Sequence, residues 1–271
     1  YDRTKFLKKQ GIDLICVNVN DNGNLIFEDN SVVEFVIPYS PKSIYFKLLK
    51  FFRIFKLSLH LRKFNPDVFI ATGLGGAFNF IAKSLNKTTF KIQQEVTFDA
   101  KLDRIRNDQI KIFDAIAVQT ESMIKNYKEK VSKRVNINYL PCFTRKLIKP
   151  TKFFSNKSSY IKLSYFGRLA PNKGLVEFIN NTKDILTKKN IILDIYGRGS
   201  ELNNIQNTIN LSFLNDRVFL KGFYSDEDFP DLINSYDGLI LPSIYNEGLP
   251  LVLLESMFYG KPVFASKMGS I

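Results

Sequence analysis

The stretch KLSYFGRLAPNKGLVEFINNTKDILTKKNIILDIYG fills residues 162–197. KLSYF (162–166) reads as a strand and LVEFINNTKDILTKK (175–189) as a helix, with IILDIYG (191–197) as a second strand. Both strands are apolar on successive residues, so both faces are expected to be covered, as in a parallel sheet flanked by helices. The alternation continues with a helix in SELNNIQNTINLSF (200–213), strand VFLKGF (218–223) and a short helix in DEDFPDLINSY (226–236). Strand GLILPS (238–243), helix LVLLESMFY (251–259) and strand PVFAS (262–266) complete it. Such a run predicts an open, doubly wound α/β domain.

The first half reads the same way with weaker contrast. DLICVNV (13–19) is a strand, NDNGN a hairpin turn, and LIFE (25–28) and VEFVIP (33–38) follow. A long helix is expected over 43–64, strand PDVFIAT over 66–72 and a helix near 77–85. Strand TFKIQQE (89–95), a helix near 101–112, strand DAIAVQ (114–119) and a helix near 121–130 complete a second parallel α/β domain. PTKFFSNKSSY (150–160) is polar, carries a proline and reads as the linker. The expected domains are therefore 1–150 and 151–271.

Composition narrows the function. The chain of 271 residues suits two α/β domains or one large one, and at 45% hydrophobic it can fill a core. No charge-free apolar window is long enough to span a bilayer. The start, YDRTKFLKKQGIDLICVNV, is charged and reads as a helix end entering a strand, not as a secretory signal. Cys16 and Cys142 form no C-x-x-C, which favours reduced thiols and a cytoplasmic protein. One histidine and two separated cysteines argue against a zinc site. The net charge of +13 favours an anionic partner, although part of it is a general Lys/Asn-rich habit.

Two stretches carry candidate chemistry. In YFGRLAPNKG, the strand ends at Gly167, and Arg168 and Lys173 follow in the turn. Ligands of open α/β sheets sit outside the carboxyl ends of strands. Two cations beside a glycine there suit a diphosphate, and they also suit a solvated basic turn. In NEGLPLVLLESMFYGKPVFAS, Glu247 lies in the loop before a helix start and Glu255 about one turn inside that helix. A helix start attracts phosphate, whereas a carboxylate accepts hydroxyls, so a ligand with both groups would use the whole stretch. The alternative is that Glu255 complements the helix dipole and Glu247 is solvated.

These motifs resemble the C-terminal domain of the retaining glycosyltransferases of family 4, also grouped as glycosyl transferases group 1. The family carries G-R-L…K-G, a strand ending in a G-x-G turn, and E-G-x-x-x-x-x-x-E before a G-x-P-V-V-A-S strand. They read here as GRLAPNKG, IYGRGSE, NEGLPLVLLE and YGKPVFAS. The resemblance is strong over 160–271 and weak in the first half, through NPDVFIAT and DAIAVQTES. It implies a GT-B fold: two Rossmann-like doubly wound parallel-sheet domains facing a cleft. In that arrangement 1–150 is the acceptor side and 151–271 binds a nucleotide sugar. Because the family begins with a further strand and ends with closing helices, the chain reads as a fragment.

Carried over, the resemblance implies that Arg168 and Lys173 neutralise the donor diphosphate and that Glu247 touches the donor sugar. Those three are the implied catalytic residues. Glu255 would bind the ribose, and Gly248, Leu249, Pro250, Leu251 and Val252 would meet phosphates and sugar. Gly167 and Gly197 line the same site, and the base lies near Gly222 and Phe223. No metal and no cofactor are implied, since the cations and the helix start carry the charge. Where many members have a histidine, this chain places Gln94 and Glu95. Glu95 and the glycine-rich Gly75 loop are candidates for the acceptor or donor-sugar side.

ATGLGGAFNF (71–80) imitates a dinucleotide fingerprint, but Phe78 stands where a small residue is needed to seat helix on strand. His60, at a helix end, reads as a surface or packing residue. The helix over 43–64 is both basic and aromatic, and two readings stand: a packed helix with snorkelling lysines, or a face for an anionic membrane surface. The expected activity is transfer of a sugar from a nucleotide diphosphate sugar to a polysaccharide or lipid-linked glycan acceptor. The expected location is the cytoplasm, with peripheral placement at the inner face of the cytoplasmic membrane. The alternatives are a nucleotide-sugar epimerase or phosphorylase of the same fold, or a non-catalytic basic protein binding nucleic acid. Against the last, no stacking platform or helix-turn-helix pattern accompanies the charge, so nucleic acid is not an expected partner.

Overall fold

A computed structural model describes residues 9–13, 17–18, 35–36, 44–72, 76–95, 111–130, 136–141 and 159–271. The NDNGN turn, LIFE, the helix near 101–112, Gly75 and most of the 150–160 linker lie outside these residues. The chain divides into two compact units. The first holds Tyr1–Glu95, Leu102–Val118 and Tyr127–Asn138; the second holds Tyr139–Ile271 with Val96–Lys101 and Gln119–Asn126.

In the first unit, short strands β1 (Val17–Asn18) and β2 (Phe35–Val36) pair in parallel. A separate sheet runs in the order β3 (Val68–Thr72), β4 (Phe90–Glu95), β5 (Ala115–Val118), β6 (Asn136–Tyr139). Its β3–β4 and β4–β5 pairings are parallel. Helix α1 (Ile44–Phe64) buries Ile54, Leu57 and Leu61, spaced for one helical face, against Ile81 and Leu85 on and just beyond α2 (Gly76–Ser84). Phe78 packs against this cluster, as does Phe69 of β3. Helix α3 (Glu121–Lys130) follows β5. Among the described residues no helix is long and apolar enough to cross a membrane.

The second unit is a five-stranded sheet in the order β11 (Val263–Ala265), β10 (Gly238–Leu241), β7 (Ile161–Phe166), β8 (Ile191–Tyr196), β9 (Val218–Gly222). Every pairing is parallel. Alternate residues face opposite layers, as the two-residue strand period requires. Leu163, Tyr165, Leu193 and Ile195 pack against Leu175 and Ile179 of α4 (Leu175–Lys188) and Ile205 and Ile209 of α5 (Leu202–Leu211). Phe166, Tyr196 and Leu239 face Phe229 and Ile233 of α6 (Phe229–Asn234) and Tyr259, which caps α7 (Leu251–Phe258). The chain runs outward from β7 through β8 to β9, then returns to place β10 on the other side of β7. The order reverses there, and the crevice beyond β7 and β10 is where such sheets take ligands.

Candidate functional site

The loops leaving β7 and β10 meet because of Gly174. After β7 the chain makes a 3-10 turn, Pro171–Lys173, and Gly174 closes it at φ 66°. A Cβ there would overlap the carbonyl oxygen of Pro242 and lie 2.8 Å from Ile244 Cγ2. Only glycine combines that conformation with that approach. The Ile244 amide donates to the Asn172 carbonyl at 3.1 Å, tying the two loops.

This contact carries Lys173 to Glu247. The Lys173 ammonium donates to Glu247 Oε1 at 2.5 Å, with side-chain exposures of 13% and 14%. Ser243 Oγ donates to the same oxygen at 2.6 Å. Glu247 is held on its backbone as well: the Ser270 amide donates to its carbonyl at 3.1 Å. Gly269, at φ 69°, bridges alongside, where a Cβ would overlap that carbonyl.

A second contact set joins the exits of β7, β8 and β9. The Gly167 amide donates to the Tyr196 carbonyl at 3.1 Å, and the Gly197 amide to the Gly222 carbonyl at 2.7 Å. A Cβ on Gly197 would overlap the Gly167 carbonyl oxygen. The three glycines expected at the site therefore stack as neighbouring turns. Tyr165 braces the first of them, donating its hydroxyl to the Arg168 carbonyl at 2.8 Å. Burial, and then the charge of Glu247, push that hydroxyl well above the usual tyrosine range, so it stays a donor. The Arg168 side chain is exposed. Beyond β9, Phe223 is 65% exposed and the Arg198 guanidinium lies 4.0 Å above its ring. A flat aromatic under a cation is a ready surface for a planar group.

The remaining expected residues are distributed as follows. Gly248 is buried, Leu249 and Pro250 are half-buried, and Leu251 opens α7 at 40% exposure. Val252 packs beneath with the Phe166 cluster. Glu255 is 1% exposed, inside α7 and past its first turn. Glu95, in the first unit, is equally buried and accepts the Tyr127 hydroxyl at 2.8 Å. His60 is exposed on α1. Asp194, beside the expected base position, accepts the Tyr236 hydroxyl at 2.6 Å and lies 3.6 Å from the Lys221 ammonium. Burial and that bond push the Tyr236 hydroxyl upward. Among the described residues no cluster of three or more His, Cys, Asp or Glu side chains is arranged to hold a metal ion.

Sequence reasoning missed Ser243 and Arg198. Ser243 stands in LPS, which reads as the polar end of a strand; Arg198 stands in the G-R-G turn and meets Phe223 only because β8 and β9 are neighbours.

Known proteins share this fold. In TM-score terms the chain aligns at 0.72 with a sucrose-phosphate synthase of Thermosynechococcus elongatus, at 18% identity over 94% of this chain and 70% of that one. It aligns at 0.65 with the Anabaena protein HepE, solved with UDP and glucose, at 15% identity over 88% of this chain and 69% of that one. The fold is GT-B. In sequence, residues 149–271 match the family model described as glycosyl transferases group 1. An alpha-D-kanosaminyltransferase of Streptomyces kanamyceticus is 31% identical over 108 residues, which is 40% of this chain and 28% of that protein. The chain thus matches less than a third of that relative's length. The family-model match spans GRLAPNKG and NEGLPLVLLE, which carry the cations and acids of the second unit.

Proposed function

We propose that the protein is a glycosyltransferase that moves a sugar from a nucleotide diphosphate sugar to a polysaccharide or lipid-linked glycan, with retention at the anomeric carbon. The observation that carries this reading is the meeting of Lys173 and Glu247 at the reversal of strand order. An ammonium suits the diphosphate and a carboxylate suits the sugar hydroxyls, so one donor spans the pair. The nucleotide base lies on the Phe223–Arg198 surface, and the ribose takes its acceptor from Glu255.

As the bond from sugar to phosphate breaks, Arg168, Lys173 and the amides at the start of α7 stabilise the negative charge that develops on the departing diphosphate. This complement of positive charge lets the chemistry proceed without a divalent ion or a resident cofactor. The acceptor hydroxyl attacks from the face that the diphosphate leaves, and its proton passes to a phosphate oxygen of that leaving group. The resemblance names Gly75 and Glu95 for the acceptor or donor-sugar side, and the burial of Glu95 against Tyr127 speaks against direct contact by that residue.

Helix α1 favours a membrane-linked acceptor. Beside and beyond its buried face, Phe51, Phe52 and Phe55 are 53%, 66% and 44% exposed, interleaved with exposed Arg53 and Lys56, and Phe51 also meets the Phe80 ring edge-on. Aromatics beside cations suit the interface of an anionic bilayer, which supports a peripheral position at the inner face of the cytoplasmic membrane. The epimerase, phosphorylase and nucleic-acid readings draw no support from the relatives.

The test is a panel of UDP, GDP and ADP with their sugars. One nucleotide is expected to raise the melting temperature selectively, by linkage. Its sugar is expected to be consumed by the native chain and about 100-fold more slowly by Lys173→Ala. Equal stabilisation by all nucleotides, or unchanged consumption by the variant, refutes the reading.

A further inference from the structure

Glu247 Oε1 accepts two donors, and they differ in what a donor substrate would do to them. One is Lys173, a cation on a 3-10 turn. The other is Ser243, a neutral hydroxyl at 0% exposure on the exit from β10. Ser243 is fixed from both sides: the Pro242 carbonyl abuts Gly174, and the Ile244 amide bonds Asn172. A diphosphate competes for Lys173, because it carries more negative charge than one carboxylate. It exerts no such pull on a buried serine that has a single proton to donate.

We infer that Ser243 is a positioning residue for Glu247, retaining the carboxylate by its Oε1 once Lys173 turns to the diphosphate and leaving Oε2 for a sugar hydroxyl. The inference rests on the donor reading above. Among the described residues nothing bonds Oε2, so that oxygen is open to such a partner. The pairing seen here is then the waiting state of the site. Lys173 is shared between acid and donor, and Ser243 marks the position to which the acid remains attached.

The experiment measures nucleotide affinity and turnover separately. UDP, GDP and ADP are titrated, and release of nucleotide from UDP-glucose, GDP-mannose and ADP-glucose is followed. Ser243→Ala is expected to bind the preferred nucleotide within about twofold of wild type while kcat falls about tenfold, the scale of one hydrogen bond to a charged group. Ser243→Thr, which keeps the hydroxyl, is expected to restore most of kcat. Ser243→Ala added to Glu247→Gln is expected to slow the single Glu247 variant no further, since residues acting as a unit are not additive. Wild-type kcat in Ser243→Ala overturns the inference, as does full additivity with Glu247→Gln. So does a joint loss of affinity and turnover that Ser243→Thr fails to rescue, which marks a packing role. Those results leave the donor reading standing. If no nucleotide binds the wild type and no donor is consumed, the donor reading falls, and the positioning role falls with it.

Discussion

Glu95 ends β4 of the first unit, and Glu247 lies on the loop after β10 of the second. Both are carboxylates at the carboxyl end of a parallel sheet, yet their surroundings differ. Glu95 is 1% exposed and takes the hydroxyl of Tyr127 from α3. Glu247 keeps 14% of its side chain exposed and is held by an ammonium that is itself 13% exposed. A neutral, buried partner closes a carboxylate into the fold. On the donor reading, a charged partner at a loop, which a diphosphate draws away, keeps it available for exchange. The contrast separates an acid whose loss should appear first in stability from one whose loss should appear first in turnover.

The largest expected effect falls on Glu247. Glu247→Gln should lower sugar transfer about 100-fold, or about 2.7 kcal/mol in the barrier. The melting temperature should change far less than that barrier implies. Steady-state kinetics beside calorimetry reads both, and near-normal turnover would make the two acids equivalent and erase the distinction.

Next comes Tyr127→Phe. It removes a donor that Glu95 receives in a buried setting, so unfolding free energy should fall by about 1–3 kcal/mol in denaturant titrations. Turnover of the folded variant should stay within about twofold. A tenfold fall in turnover with stability intact would move Glu95 from the closed class to the exchangeable one.

This division was partly legible in the sequence. Residues 160–271 reveal their elements because apolar strands alternate with helices carrying a clear buried face, and every expected strand and helix there forms. The errors lie at the ends. GLILPS reads as strand through Ser243, but β10 stops at Leu241, where Pro242 turns its carbonyl onto Gly174. Strand β6 was not foreseen, because NINY alternates polar residues and buries none of them fully. The acids and cations of the site stand out by residue type. Their pairing does not, since Lys173 and Glu247 lie far apart in sequence and meet through a glycine whose role depends on the opposing loop. Ser243 is hidden for the same reason.

A smaller effect tests the other end of the site. Phe223→Ala removes the exposed ring under Arg198. Stacking of a base on an aromatic contributes about 1–3 kcal/mol, so the nucleotide Kd should rise about tenfold with kcat little changed. The ratio of the two effects sharpens the comparison: Glu247 should act mainly on turnover and Phe223 mainly on affinity. Equal losses in both parameters at both positions would show that the strand exits act as one undivided structure.

The smallest expected effect is a gain, and it lies in the second unit's own turns. Gly174 and Phe213 both adopt left-handed backbone, at φ 66° and 55°. Gly174 has no room for a side chain. Phe213 follows α5 and is 88% exposed, with its amide donating to Asn210 and the next amide, of Leu214, donating to Ile209. That is a left-handed helix cap, a position that favours glycine, occupied by an aromatic that buries almost nothing in return. Phe213→Gly should relieve the strain and raise stability by about 0.5–1 kcal/mol after the added freedom of the unfolded chain is counted, a rise of roughly 2 °C in melting temperature. Gly174→Ala should do the reverse and also slow transfer, because a displaced 3-10 turn withdraws Lys173 from Glu247. If Phe213→Gly destabilises instead, the exposed ring contributes to the fold in a way its solvent exposure does not reveal. If Gly174→Ala leaves turnover intact, the Lys173–Glu247 contact does not depend on the approach of the two loops that Gly174 permits.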